Sequence, residues 1–152
     1  MFKTLLFLVA TVVAVIAETH TVHFQNKCGF GTPTLVFGGQ IVSTGADFTA
    51  NGPITGIAYL QTGSCGFNGE NCTTVEITLK NSNSPGDASS TDINKVPPHA
   101  FSVTTGFGYF NGCDGAGADC TSAFCLPPLT PGGPTNVECQ TNNVNLAVVF
   151  CG

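Results

Sequence analysis

Nine acids, three histidines and eight cysteines are the side chains from which this chain can build chemistry, against four lysines and no arginine. In Thr74–Leu79 a period-two alternation sets Val75, Ile77 and Leu79 on one side and aims Glu76 off the apolar face with Thr74 and Thr78. His23 and His99 have no acid–nucleophile motif beside them, and no G-x-S-x-G, phosphate-binding loop or dinucleotide fingerprint is present. Asp114-Gly-Ala-Gly-Ala-Asp119 is an acidic turn, but calcium prefers several oxygens, so two carboxylates read as a bare turn. Cleavage after Ala17 would expose Glu18-Thr19-His20, an end that can wrap Cu(II) or Ni(II) in a square-planar nitrogen set. Against this, His20 shares the face of Val22 and Phe24 and reads as a strand residue; a copper-oxygenase brace would need histidine at the first position. No metal or cofactor is expected.

The elements that must position these groups follow from composition. Residues 1–17 read as a secretory signal: Lys3 is the positive start, Leu5–Ile16 the apolar core and Val15-Ile16-Ala17 the cleavage pattern. That core is too short to span a bilayer, and residues 18–152 form one domain-sized chain. The formal charge of −5 becomes more negative once Lys3 is removed. Nucleic acid and anionic membranes are excluded as partners, because both need clustered cations. The chain is expected to be secreted and monomeric. Cysteines 28, 65, 72, 113, 120, 125, 139 and 151 form an even set behind the signal, which reads as four disulfides with the pairing open. Secretion and the absence of Cys-x2-Cys pairs argue against zinc.

With 19 glycines, 9 prolines and 9% charged residues, the chain reads as all-β. Strands are expected at Thr19–Gln25, Thr34–Phe37, Gln40–Ser43, Ile57–Thr62, Thr74–Leu79, Asp92–Val96, His99–Thr104, Gly106–Phe110, Asn136–Cys139 and Asn145–Cys151. Lys80–Ser90 and Asn111–Pro134 read as loops. The expected architecture is a β-sandwich of about ten short strands. Asn71-Cys72-Thr73 fits the N-glycosylation pattern in a loop, although a disulfide at its middle residue would slow modification.

The segments TVHFQNKCGF, QTGSCGFNGENC, VEITL, DINKV followed by FSV, GCDGAGADCT and the ending AVVFC occur here in the order found in thaumatin-like proteins. The chain resembles short, secreted fungal members that lack most of the cysteine-rich second domain. The resemblance spans nearly all of residues 18–152. It implies a flattened β-sandwich with Cys28–Cys151, Cys65–Cys72 and Cys113–Cys139 bridges, leaving Cys120–Cys125.

The family's acidic cleft uses one Arg, one Glu and three Asp, and some members bind or weakly cleave β-1,3-glucans. The resemblance places the Glu at Glu76 and the first Asp at Asp92. The Arg falls near Ile57 and the second Asp around Pro97-Pro98-His99, so both are lost, and the third lies in the missing domain. Glu76 and Asp92 are the candidate catalytic pair, since two carboxylates suffice for glycoside hydrolysis. Tyr59, Phe107, Tyr109 and Phe110 are candidates to stack on sugar rings. The expected function is non-enzymatic binding of cell-wall β-1,3-glucan in wall remodelling, defence or antagonism. The alternatives are a weak endo-β-1,3-glucanase and an effector or immunomodulator that acts on a host protein.

Overall fold

Alternation along the strands decides which side chains meet between the layers. In the computed structural model, which describes residues 17–125 and 136–152, the strands are β1 (His20–Asn26), β2 (Thr32–Phe37), β3 (Gln40–Ser43), β4 (Phe48–Ala50), β5 (Ile54–Gln61), β6 (Thr74–Leu79), β7 (Ser89–Asn94), β8 (Thr105–Phe110), β9 (Gly117–Cys120), β10 (Val137–Cys139) and β11 (Asn145–Phe150). The expected secretory signal and the second half of the proline-rich loop lie outside the described residues, apart from Ala17. Five strands form one sheet in the order β4-β1-β11-β8-β9, and six form the other, β10-β7-β6-β5-β2-β3. The first and last strands run parallel at the heart of the first sheet, from Val22 opposite Leu146 to Asn26 opposite Phe150.

Val22, Phe24, Phe107, Leu146, Val148 and Phe150 point inward from the five-stranded sheet. They pack on Leu35, Ile54, Leu60, Val75, Ile77, Leu79 and Ile93 of the other. Tyr109 crosses the gap: its hydroxyl donates to the Val137 carbonyl at 2.9 Å and shares a 3.0 Å hydrogen bond with the Thr91 hydroxyl. Burial, partly offset by the Thr91 hydrogen bond, pushes the Tyr109 phenol up to about 12. The four disulfides are Cys28–Cys151, Cys65–Cys72, Cys113–Cys139 and Cys120–Cys125, the pairing the resemblance implies.

Two segments differ from expectation. Residues 99–104 are irregular rather than a strand, because side chains take their backbone groups. Ser102 N donates to Thr73 Oγ1 at 2.9 Å, Thr73 N donates to Ser102 Oγ at 3.1 Å, and Ala100 N donates to the Cys72 carbonyl. Conversely, Gly117–Cys120, expected as loop, is a strand on β8. The two backbones approach so closely there that a Cβ on Gly117 would lie 2.1 Å from the Phe107 carbonyl oxygen. Pairing geometry prevails over the low β-propensity of glycine and alanine.

The stretch before β1 is tied in by polar groups. Glu18 Oε1 accepts from Asn81 N at 2.6 Å and lies 3.1 Å from His20 Nε2, while His20 Nδ1 donates to the Val144 carbonyl at 2.7 Å. The His20 side chain is fully buried. Glu18→Ala leaves a buried ring nitrogen without its partner and is expected to cost about 1–3 kcal/mol, read from denaturant midpoints.

The Tyr109 phenol also predicts a pH dependence. An unfolded tyrosine ionises near 10, so stability contributed by the buried neutral phenol is complete below about 10 and falls as pH rises toward 12. Denaturation midpoints measured across that window should fall in the wild type. They should fall less in Tyr109→Phe, with Tyr59, which burial also raises, supplying the remainder.

Candidate functional site

Outward-facing residues of β5, β6 and β7 line up across the six-stranded sheet. Glu76 has Ile57 as its register partner on β5 and Asp92 on β7. Val75 and Ile77, on either side of Glu76, are buried in the core, so Glu76 is presented to solvent as its alternation requires. Cross-strand partners have Cβ atoms about 4.5–5.5 Å apart, and two acids directly opposite repel. Asn94, two residues beyond Asp92 on the same face, supplies a compensating donor. Its Nδ2 bonds Glu76 Oε1 at 2.6 Å, while its Oδ1 accepts from Val96 N at 2.7 Å and so orients the amide.

A wall stands at one end of this row. The Cys65–Cys72 loop folds over the neighbouring Tyr59–Thr74 pair, with the Tyr59 hydroxyl donating to the Phe67 carbonyl at 3.0 Å. Pro98 and His99 hold the loop from behind: Asn71 N donates to Pro98 O at 2.8 Å, and His99 Nδ1 lies 3.0 Å from the Gly69 carbonyl oxygen. At the wall, hydrogen bonds from its own backbone amide and from the Asn68 side chain hold the Glu70 carboxyl below its ordinary value. Burial, aided by the Glu70 charge, raises the Tyr59 phenol. Phe67 projects from the same loop, half exposed.

The two positions of the expected pair are therefore directly opposite in register; the aromatics are not gathered beside them. Tyr59 is 1% exposed beneath the wall, and Phe107 and Tyr109, at 5% and 3%, face the interior. The stacking role expected of these three is corrected: their rings are buried, Tyr59 under the loop and the other two between the sheets. Phe110 is half-buried on the outer side of the other sheet, opposite Asn145. Ile57 stands opposite Glu76, so the position given to an arginine by the resemblance is apolar here. Asn94 and Phe67 were not legible as site residues. Asn94 carried one usable signal, its period-two spacing from Asp92; Phe67 carried none, because its loop has no periodicity.

The other candidates disperse. Thr19 N donates to Asn143 Oδ1 at 3.0 Å, and His20 is enclosed with both ring nitrogens engaged, so this fold does not present the square-planar nitrogen set of a copper site. Asp114 Oδ1 accepts from Asn111 N at 2.9 Å, whereas Asp119 lies over Gly106 toward the other end of β8. His23 Nδ1 meets Asp47 Oδ1 at 2.6 Å on the five-stranded sheet.

The wall yields a direct test. Gly69 has φ +77°, and a Cβ there would lie 2.2 Å from Thr74 Cγ2 and 3.2 Å from the Tyr59 ring. Gly69→Ala is expected to lift the loop at a cost of about 1–3 kcal/mol and to expose Tyr59, read as faster solvent quenching of tyrosine fluorescence.

No family model matches the chain, and no curated protein matches it. Among solved structures it is similar to a thaumatin-like xylanase inhibitor at 17% sequence identity and TM-score 0.50, over 88% of this chain and 99% of that chain. A likeness at that identity bears on architecture, and the fold of this chain is thaumatin-like.

Proposed function

We propose that this is a secreted, disulfide-stapled protein that binds neutral cell-wall polysaccharide, β-1,3-glucan first among them, on the open face carrying Glu76, Asp92 and Asn94. One observation carries the reading: two acids placed directly opposite each other, against the cross-strand preference, on an exposed face with an oriented amide. Local rules broken in this way concentrate at functional sites. Carboxylates and an amide are the groups that take up sugar hydroxyls, and Phe67 on the adjoining wall offers an apolar surface for a ring. Four disulfides fit an oxidising compartment. The resemblance supplies the polymer, since some thaumatin-like proteins bind β-1,3-glucan.

Turnover is not required by this reading. Glu76 is open to solvent, and binding asks only that it accept from sugar hydroxyls. Co-sedimentation of the oxidised protein with insoluble β-1,3-glucan, chitin and cellulose tests it, with reducing ends assayed in the same tubes. Selective glucan binding that survives Glu76→Gln is expected. Glu76→Ala combined with Asn94→Ala should weaken it roughly ten-fold, the worth of one or two hydrogen bonds. Release of reducing ends that stops in Glu76→Gln would instead make the pair catalytic.

A second reading, binding to a protein, is favoured by Phe124. It is 91% exposed on the loop closed by Cys120–Cys125, and aromatics are common anchors at interfaces. It predicts no glucan affinity and a saturable partner whose binding falls in Phe124→Ser.

A further inference from the structure

Asn71-Cys72-Thr73 is the chain's single Asn-x-Ser/Thr sequence, and the fold divides it in two. Asn71 is exposed, at φ 64°, with its backbone N–H fixed by Pro98 O at 2.8 Å. Cys72 and Thr73 are wholly buried. Cys72 is bonded to Cys65, seven residues back, and its carbonyl accepts from Ala100 N. The Thr73 hydroxyl donates to Val103 O at 3.3 Å and accepts from Ser102 N at 2.9 Å. The acceptor nitrogen is thus out in solvent, while the hydroxyl by which the sequence is recognised is inside.

We propose that Asn71 carries an N-linked glycan whose occupancy is set by a race between glycan transfer and closure of the Cys65–Cys72 loop. In the transfer, the Asn71 side-chain nitrogen bonds the anomeric carbon of a lipid-pyrophosphate-linked oligosaccharide as the bond from that carbon to the phosphate oxygen breaks; lipid pyrophosphate leaves and the nitrogen's displaced proton passes to solvent. The transferring enzyme must hold the chain extended and engage the Thr73 hydroxyl, which is possible only before 99–104 clips onto Thr73 and the disulfide forms. Once folded, the protein hosts the glycan without strain because the Asn71 side chain already faces solvent. The sugar then stands on the wall beside the acidic face. The inference rests on the chain being secreted, as proposed above.

The test expresses the full chain in a eukaryotic secretory host. Intact masses are measured on medium and cell fractions, before and after enzymatic removal of N-glycans. Part of the wild type should carry one glycan mass, lost completely in Asn71→Gln and in Thr73→Val. The pair Cys65→Ser and Cys72→Ser, which keeps the Asn-x-Thr pattern, should be occupied throughout. Because that variant can be retained inside the cell, the cell fraction is read as well. A brief pulse of reductant on cells making the wild type should raise occupancy in the same way. Equal occupancy with the loop free to close and with closure blocked, whether none or full, overturns the proposal. Wild type and the Cys65→Ser, Cys72→Ser pair both recovered wholly unmodified from the medium refute the glycan while leaving secretion intact; protein absent from the medium in every variant refutes secretion itself.

Discussion

The pairing of the first strand with the last is what the rest of the structure depends on. β1 and β11 lie side by side and parallel, and immediately beyond them Lys27 N donates to Phe150 O and Cys28 is bonded to Cys151. Residues separated by 123 positions are fixed at one corner of the molecule. In the chain-entropy model a loop of that length contributes about 4–5 kcal/mol, the largest share of the four bridges. Since β1 and β11 together supply Val22, Phe24, Leu146, Val148 and Phe150 to the interior, the five-stranded sheet has no central strands until the chain is closed. The layer that this closure completes is the one against which the six-stranded sheet packs.

The acidic face depends on it at one remove. β5, β6 and β7 can aim Glu76 and Asp92 outward only because Val75, Ile77 and Ile93 between them are drawn inward against the five-stranded sheet. The wall beside that face is local by contrast, a short loop sealed by its own disulfide and held by Pro98 and His99. The molecule therefore combines a floor fixed by long-range packing with a wall fixed by short-range covalent closure. The two can be perturbed separately.

Much of this was legible in the sequence, for reasons that differ by residue. The alternation in Thr74–Leu79 places Glu76 outside because one face of that strand is buried and the period of a strand is two. The resemblance carried three of the bridges and left Cys120–Cys125 as the fourth. What escaped was decided by partners distant in sequence. Gly117–Cys120 becomes a strand through β8, and 99–104 fails to become one through Thr73. In sequence Tyr59, Phe107 and Tyr109 are as fit for ligand contact as for burial, because an aromatic ring suits a core and a sugar surface equally. Only the position of the covering layer distinguishes them. Asn94 gains its importance solely from the strand beside it.

The placement of the two tyrosines has an optical consequence. The chain contains no tryptophan, so its near-ultraviolet absorption and emission come chiefly from Tyr59 and Tyr109. One chromophore is enclosed by the Cys65–Cys72 loop, and the other bridges the two sheets. Each layer of the molecule thus carries its own native reporter. Opening of the loop and separation of the sheets will appear as distinct spectral events, resolvable without any label by replacing one ring at a time with phenylalanine.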